Sequence, residues 1–251
     1  MNAKIWYLYH SGFVIEFDKV SVIVDYYDEN TGERSADKCP VLARILADST
    51  RKLYVLASHR HHDHFDPYIL ELGRAHGNIT YVFSDDIAEK INELGLDVSA
   101  QNISYIGVGD CYTDEHIRIH AFGSTDEGIS FLLNVDGTSI FHAGDLNNWH
   151  WNEEVSAEEA ASYEANYLVE LEKLATFSPA IDIAMFPLDP RLGKDFAKGA
   201  EQFVARIKTA NLIPMHFRND FNVANQFAPI AMKYDTNFVA LTHKCQTIDI
   251  P

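Results

Sequence analysis

The chain has 251 residues, of which 47% are hydrophobic and 23% are charged, and its formal net charge is −17. This length and hydrophobic content predict a single domain over residues 1–251 with a large core, because no repeat, linker or low-complexity tract divides the chain. The strong negative charge, with no run of Lys or Arg, would repel a polyphosphate backbone, so we expect no nucleic-acid partner.

The predicted elements fall into four successive blocks along the chain. The first block is two strands rich in β-branched and aromatic residues, at 5–17 and 20–27. The second alternates helices and strands, at 39–49, 52–58, 66–77, 79–84 and 85–95. The third has strands at 116–122, 128–135 and 138–144, followed by a helix over about 153–175. The fourth alternates again, at 180–188, 195–210, 212–217, 222–234 and 237–243.

This order of elements predicts an α/β architecture of two sheets packed face to face, with helices on the outside. A single doubly wound parallel sheet fits less well, because the two β-only stretches contain no crossover helices.

The three cysteines, Cys39, Cys111 and Cys245, are widely spaced. An odd number of cysteines without a Cys-x-x-Cys pair argues against a disulfide framework and against a thiolate metal site. The first residues lack the pattern of a signal peptide, and no apolar stretch is long enough to span a bilayer. We therefore expect a cytoplasmic protein that makes no membrane contact.

Residues 58–65 read SHRHHDHF and directly follow an apolar strand. Imidazole and carboxylate groups together suit a divalent metal such as Zn²⁺, and also Mn²⁺ or Fe²⁺. His59 and His61, two residues apart at a strand end, can point to the same side, whereas Asp63 and His64 lie on the turn that follows. The loop can therefore supply two ligands to each of two adjacent metals. A merely solvated loop would need this register by chance, which disfavours that interpretation.

The His-x-His-x-Asp-His run resembles the signature of the metallo-β-lactamase fold superfamily, and other stretches match that family's pattern in order. The segment FHAGD (141–145) is similar to the strand that ends in Gly-Asp, which implies that Asp145 bridges both metals. The segment IPMHF (213–217) is similar to the strand that brings the last histidine ligand, here His216. The opening hairpin is similar to the family's first hairpin, which implies that Asp25 lies below the metal loop.

The resemblance extends over almost the whole chain. It implies a four-layer αββα sandwich of two mixed β-sheets flanked by helices, with the metals at one edge between the sheets. The short first hairpin with His10, together with FHAGD and IPMHF, is most similar to the compact metal-dependent hydrolases related to ascorbate-6-phosphate lactonase. The implied ligands are His59, His61, Asp63, His64, Asp145 and His216.

One position departs from the family pattern. The family usually has another histidine ligand between the metal loop and Gly-Asp, and the corresponding stretch AFGSTDEGISF (121–131) contains none. Three explanations stay open: Asp126 replaces the imidazole, a water completes the shell, or the first metal site is weak or empty. His120 is a further candidate that could rotate in, and Asp126 is equally well explained as a turn residue.

Several side chains outside the ligand set are candidates for contact with substrate. His10 lies in the first hairpin, and Trp149 closely follows Asp145, where an aromatic side chain could cover a substrate and exclude water. Arg191 and Arg218 follow predicted strand ends and could attract a small anion to an acidic protein. Arg60, inside the metal loop, is a further candidate for that role.

The predicted function is that of a metal-dependent hydrolase, in which a metal-activated hydroxide attacks a small metabolite that carries a phosphate, lactone or ester. The resemblance implies that Asp63 is also catalytic, orienting the nucleophile or moving its proton. One or two metals per chain are expected. Two alternatives are a phosphodiesterase or RNA-processing nuclease of the same superfamily, and a metal-binding or ligand-sensing protein without catalysis.

Overall fold

The computed structural model of the protein describes residues 3–29 and 39–250, and within them the chain forms fourteen strands, seven α-helices and two 3₁₀ helices. The strands are β1 (Lys4–Tyr9), β2 (Gly12–Glu16), β3 (Val20–Val24), β4 (Lys52–Ala57), β5 (Ile79–Ser84), β6 (Ile103–Ile106), β7 (Cys111–Thr113), β8 (Arg118–Gly123), β9 (Ile129–Val135), β10 (Thr138–His142), β11 (Ala180–Pro187), β12 (Lys208–Met215), β13 (Asn237–Phe238) and β14 (Gln246–Asp249). The helices are α1 (Pro40–Ala47), α2 (Ile69–His76), α3 (Asp86–Glu93), α4 (Ala157–Phe177), α5 (Lys198–Arg206), α6 (Phe221–Ala224) and α7 (Ala228–Met232), and the 3₁₀ helices are Pro190–Asp195 and Asn225–Phe227. Within these ranges, no helix has the length and apolar character that a membrane crossing requires.

The strands form two mixed sheets of seven strands each. Their orders are β14-β1-β2-β3-β4-β5-β6 and β13-β12-β11-β10-β9-β8-β7. Strands β3 to β6 run parallel in the first sheet, and strands β10 to β13 run parallel in the second. The carboxyl ends of parallel neighbours lie at the same edge of a sheet, which is where α/β proteins place their ligand sites.

Strand alternation divides the buried side chains between two cores. Phe13 of β2 faces the second sheet and belongs to a large core between the sheets, whereas its neighbour Val14 faces α1, α2 and α3 in a smaller core. On the far side of the second sheet, Phe141 and Phe186 contact Phe203 of α5, and α4 lies beside α5. The layers are therefore helices, sheet, sheet and helices, which confirms the predicted αββα sandwich.

The element boundaries differ from the predicted ones at a few places, each with a physical reason. The strand predicted over 5–17 is divided into β1 and β2, because the chain turns at His10 and Ser11. The helix predicted over 222–234 is broken into α6, a 3₁₀ turn and α7, and it contains Pro229, which removes a helical hydrogen bond. The strands β6, β7 and β14 were not predicted; each lies at the edge of a sheet, where burial imposes little apolar alternation.

Cys39 and Cys245 form a disulfide, with their Cα atoms 5.7 Å apart. The spacing of the cysteines argued against disulfides, and for this pair that prediction was wrong. The two residues are separated by 206 positions, and they meet because Cys245, just before β14, lies beside Cys39 at the start of α1. A contact of this range depends on the order of strands in the sheet, which cysteine spacing does not encode. Cys111 is free and exposed.

Candidate metal centre

The candidate site lies where loops that follow parallel strands of both sheets meet at one edge. Asp25 follows β3, His59 follows β4, Asp145 follows β10, Asp189 follows β11 and His216 follows β12. Each strand is buried and rigid, so the side chain that comes just after it is held in place by its sheet. The turn between β1 and β2 reaches the same edge, because the backbone N–H of His216 donates to the carbonyl oxygen of His10 at 3.0 Å.

Four side chains make up what we call the first donor group: His10, Asp63, His64 and His216. One ligand atom from each lies within 4.8 Å of the others. His10 Nε2 is 3.3 Å from Asp63 Oδ2. His64 Nε2 and His216 Nε2 lie 3.1 Å and 3.2 Å from Oδ1 of Asp145, which therefore borders this group.

A second donor group consists of His59, His61 and Asp145. His59 Nε2 is 3.0 Å from Nδ1 of His61 and 3.5 Å from Oδ2 of Asp145. Oδ2 of Asp145 thus faces the second group while its Oδ1 faces the first, so that one carboxylate lies between the two groups. The loop residues divide as the sequence predicted, with His59 and His61 in one group and Asp63 and His64 in the other.

Buried carboxylates fix the orientation of two of these histidines. Asp25 Oδ2 lies 2.6 Å from Nδ1 of His64, and the same carboxylate accepts hydrogen bonds from the backbone N–H and the hydroxyl of Ser58 at 2.7 Å and 2.6 Å. Asp189 Oδ2 lies 2.9 Å from Nδ1 of His216. In both cases the bond at Nδ1 leaves Nε2 directed into the first donor group, as is usual for histidines that bind metals.

The position of Asp25 below the loop agrees with the sequence prediction, whereas the role of Asp189 was missed. Asp189 lies in the segment LDPR, which reads as an ordinary turn. Its position just after the buried strand β11 was a signal for a site residue. From the sequence, that inference was drawn only for the neighbouring Arg191.

The electrostatics of the site favour a positive charge at its centre. Burial would raise the pKa of Asp145, but His64 and His216 hold that pKa well below its usual value. Burial would lower the pKa of both histidines, yet Asp145 raises the pKa of His64 well above its usual value and that of His216 to about 9. Burial lowers the pKa of His10 to about 4 and that of His59 to about 3. Two imidazoles are thus neutral at pH 7, as metal ligands must be.

The donor atoms fit a divalent metal. Nε2 of His10, Nε2 of His64 and Oδ1 of Asp145 are buried and make no hydrogen bond to the described residues. Buried polar atoms without partners are rare and require an explanation. The separations of 3.1 to 3.3 Å between donor atoms match the spacing of about 3.3 Å between neighbouring ligands of a tetrahedral zinc with bonds of about 2.0–2.1 Å.

Strained backbone is concentrated around the donor groups. Among the described residues, eight non-glycine residues have a positive φ, and five of them surround the site. They are His10 (55°), Asp25 (45°), Trp151 (44°), His216 (63°) and Arg218 (52°). Residues other than glycine rarely adopt this backbone conformation unless the surrounding structure imposes it, and such residues cluster at functional sites.

At the position of the absent histidine, the structure places carboxylates near His61 but outside both donor groups. Asp126 Oδ2 is 3.9 Å from Nδ1 of His61, and Glu127 Oε2 is 3.5 Å from its Nε2. His120 is not a candidate, because its ring contacts Phe177 of α4 at 4.7 Å between centroids, on the outer side of the second sheet. The second donor group therefore has two imidazoles and one carboxylate, with two further carboxylates 3.5 Å and 3.9 Å from His61.

Two of the side chains predicted to contact substrate, Arg191 and Arg218, line a cavity of about 400 Å³, whose wall also includes His216. The guanidinium of Arg191 donates from Nε and Nη2 to Asp189 at 2.9 Å and 2.5 Å, and it lies over the ring of Trp151 at 5.7 Å. Arg218 is exposed at the rim.

Two of the predicted substrate contacts occupy other positions. Trp149 is buried, and its Nε1–H donates to the carbonyl oxygen of Asp145 at 2.8 Å. It therefore holds the backbone of Asp145 in place and does not face the cavity. Its neighbour Trp151 stacks on it with centroids 5.9 Å apart and is the more exposed of the two. His10 is a member of the first donor group and is not among the residues that line the cavity.

Arg60 was a candidate for binding an anionic substrate, and the structure directs it elsewhere. Its guanidinium pairs with Glu89 at 3.1 Å and with Glu93 at 3.2 Å, both on the outward side of α3. Glu127 lies 3.9 Å from the same guanidinium. With three acidic side chains around it, Arg60 contributes little positive potential to the site.

Comparison with known proteins agrees with this geometry. The chain is 24% identical over 230 residues to a UPF0173 metal-dependent hydrolase of Pelotomaculum thermopropionicum, covering 85% of this chain and 84% of that one. It is also 24% identical over 241 residues to a UPF0173 metal-dependent hydrolase of Pyrococcus furiosus, covering 91% and 88%. The structure of Igni18, a metallo hydrolase from Ignicoccus hospitalis, superposes with a TM-score of 0.68 at 18% identity and covers 99% of this chain and 98% of that one.

Residues 4–161 match the sequence model of the beta-lactamase superfamily domain. That segment contains the first hairpin, the metal loop and Asp145, and it spans more than half of the 251 residues. The protein therefore belongs to the beta-lactamase superfamily.

Proposed function

We propose that the protein is a metal-dependent hydrolase that acts on a small anionic metabolite at a centre for two metals. The observation that carries this proposal is the position of Asp145, whose two oxygens face two adjacent donor groups. A shared carboxylate between two imidazole-rich groups is the arrangement expected of a two-metal hydrolytic site. The names of the two sequence relatives support the same activity.

Zinc is the proposed metal, and Mn²⁺ or Fe²⁺ suit the same nitrogen and oxygen donors. Asp63, His64, His216 and Oδ1 of Asp145 would hold one ion, and the second donor group would hold the other. We propose that Asp126 completes the second group in place of the absent histidine. Its carboxylate oxygen Oδ2 lies 3.9 Å from Nδ1 of His61 and would move closer to it to share a metal. A bound divalent metal lowers the pKa of a coordinated water from 15.7 to roughly 7 and polarises a substrate carbonyl or phosphoryl oxygen.

Asp63 is the proposed catalytic carboxylate. Its side chain is 17% exposed, the highest value in the first donor group, so it borders the solvent side of the site. Burial would raise the pKa of Asp63, but its contact with His10 and the charge of His64 hold that pKa far below its usual range. An ionised carboxylate at this position accepts a hydrogen bond from the attacking water and orients it toward the substrate. When the ester or lactone bond breaks, the proton of the water passes to the leaving oxygen.

The cavity beside the first donor group favours a small substrate with an anionic substituent. Arg191 is held rigidly by Asp189, and its Nη1 has no hydrogen-bond partner among the described residues, which leaves that nitrogen for a ligand. Arg218 adds a second positive charge at the rim. The ring of Trp151 lies 5.7 Å from the guanidinium of Arg191 and supports that group beside the cavity. The formal net charge of −17 for the whole chain disfavours a long polyanion, so a nuclease is the less favoured function.

The activity is tested by measuring metal content together with the turnover of simple p-nitrophenyl esters and phosphates. Protein purified without chelator should contain up to two metals per chain, and Asp63→Asn should lose most of its turnover while it stays folded. His62→Asn is the matched control, because His62 is the neighbouring residue, is 77% exposed and lies outside both donor groups. Full turnover by Asp63→Asn would refute the proposed mechanism, and metal binding without turnover on any substrate would favour a binding protein.

The preference for an anionic substrate is tested with pairs of esters that differ only in a remote phosphate or carboxylate. Wild-type protein should prefer the charged member, and Arg191→Ala should remove that preference by raising KM for the charged ester alone. Arg60→Ala is the control, because Arg60 is also a loop arginine but pairs with Glu89 and Glu93. Equal KM changes for both esters would show that Arg191 acts on the fold of the site and not on substrate charge.

A further inference from the structure

His10 differs from the other buried histidines outside the metal loop in having no hydrogen bond on its ring. His76, His142 and His150 each use Nε2 on a backbone carbonyl oxygen, at 3.1, 2.8 and 3.2 Å, and accept a backbone N–H at Nδ1. Both ring nitrogens of His10 lack such a partner, although the residue is only 2% exposed. A histidine buried for packing alone would leave two polar atoms unsatisfied, which typically costs about 1–3 kcal/mol each.

The ring of His10 is directed at the first donor group. Its Nε2 lies 3.3 Å from Oδ2 of Asp63 without the geometry of a hydrogen bond. Its ring centroid is 4.2 Å from that of His216 and 5.8 Å from that of His64. A separation of 3.3 Å between two donor atoms is what two ligands of one metal show, as described above for the neighbouring pairs.

The backbone holds His10 at this position against its own preference. His10 adopts a φ of 55°, a left-handed conformation that glycine and asparagine adopt at a lower energetic cost than histidine. The turn is fixed by the hydrogen bond from the backbone N–H of His216 to the carbonyl oxygen of His10 at 3.0 Å. It is also fixed by the close approach of Gly12, whose position would put a Cβ 3.0 Å from the carbonyl oxygen of Asp25. The strained turn thus ties the first hairpin to Asp25 and His216, two other residues of the site.

We propose that His10 is a direct ligand of the metal bound by Asp63, His64 and His216, and that the two metal sites are consequently unequal. This inference rests on the proposed metal dependence. The first donor group with Oδ1 of Asp145 then offers five donors, three of them imidazoles. The second donor group offers three, or four with the proposed Asp126, and His61 in that group is 40% exposed. The site that contains His10 therefore fills first and holds its metal more tightly.

The proposal is tested by titrating metal-free protein with Co²⁺ and Zn²⁺ and following chelator competition and the d–d absorption of cobalt. Wild-type protein should bind a first equivalent tightly and a second more weakly. His10→Asn should weaken the tight step on the order of 100-fold or more, because even partners of metal ligands contribute 10–100-fold. The cobalt spectrum of the first equivalent should also change with the loss of one ligand. Asparagine is chosen because it tolerates a positive φ.

His62→Asn serves as the control, since it removes an exposed imidazole from the same loop. If His10→Asn binds the first equivalent with the affinity and spectrum of wild type, His10 is not a ligand, even if turnover is lost. If wild-type protein takes up no metal, the proposed function fails instead. Should the variant not fold, X-ray absorption of wild-type protein with one equivalent of zinc decides the matter without a variant. Three imidazoles on the metal support the proposal, and two imidazoles overturn it.

Discussion

Asp189 connects the candidate metal centre to the cavity beside it, and replacing it should weaken the binding of the proposed metal and of an anionic substrate together. One carboxylate oxygen lies 2.9 Å from Nδ1 of His216, while both oxygens accept hydrogen bonds from Arg191. The variant Asp189→Asn keeps the shape of the side chain and removes its charge. Its amide oxygen can still accept a hydrogen bond from His216, but it no longer forms the ion pair with Arg191.

The size of the effect follows from these contacts. A hydrogen bond to a charged group contributes about 1.5–3 kcal/mol and a neutral one about 0.5–1.5 kcal/mol, so Asp189→Asn should cost the His216 contact about 1–1.5 kcal/mol. That corresponds to roughly a tenfold loss of metal affinity, since each factor of ten is about 1.4 kcal/mol. Asp189→Ala removes the acceptor altogether and should reach about 100-fold, the upper end for partners of metal ligands. Loss of the ion pair between Asp189 and Arg191 adds little to this free-energy cost, because the Arg191 side chain is 55% exposed.

The assay is chelator competition for the bound metal, combined with KM for a charged and an uncharged ester. The matched control is Asp182→Asn on the same strand, whose carboxylate accepts hydrogen bonds from Ser139 at 2.8 Å and 2.7 Å, near the opposite end of β11. That variant should lower the stability of the fold and leave metal affinity unchanged. Equal metal affinity in wild type, Asp189→Asn and Asp189→Ala would refute the idea that Asp189 orients His216.

Three further outcomes are expected. In metal-free protein, His216 has its pKa raised to about 9 when folded, so its contribution to stability is complete below about pH 6.5 and is lost as pH rises through 9. His10 has its pKa lowered to about 4, so the unfolded chain binds more protons between pH 4 and 6.5 and stability falls as pH drops there. Thermal unfolding of chelator-treated protein should therefore be most resistant near pH 6.5, and a midpoint that keeps rising up to pH 9 would contradict this. Replacing Cys39 by Ser should lower the free energy of unfolding by about 2–5 kcal/mol, as loss of a native disulfide does, and intact-mass measurement after thiol alkylation should find only Cys111 modified in the unreduced protein. Trp151→Ala should raise KM for the charged ester with little change in metal content, because the ring supports the guanidinium of Arg191 and belongs to neither donor group; loss of metal in this variant would show a structural role instead.

Much of the fold was predictable because its signals are local. Buried strands such as β4 and β5 are continuous apolar runs with turn residues on either side, and the resemblance fixed how they assemble. The edge strands β7 and β14 escaped prediction because they are short and partly exposed. The Cys39–Cys245 bridge escaped because it depends on strand order.

The same distinction holds for the candidate site. The candidate ligands of the loop lie six residues apart or less, and their spacing predicted the two pairs that the structure places in separate donor groups. Asp189 and His10 both contact His216, which lies far along the chain from His10 and on a different strand end from Asp189, so these contacts depend on the assembled fold. Arg60 was misjudged for a related reason. A sequence shows where a charge is, but not that Glu89 on a neighbouring helix neutralises it.

The pairing of β1 with β14, in which Lys4 lies opposite Asp249, affects when the site can be assembled. Strand β1 of the hairpin that presents His10 pairs with β2 on one side and with β14 on the other. Strand β14 is translated last among the described strands. At roughly 5–20 residues per second, His216 leaves the ribosome on the order of ten seconds after the metal loop. Pairings of such long range form slowly, because a large loop must close before they bring any stabilisation. A nascent chain therefore exposes its loop histidines before Asp145 and His216 exist, and the complete candidate centre forms only after those later residues have been translated.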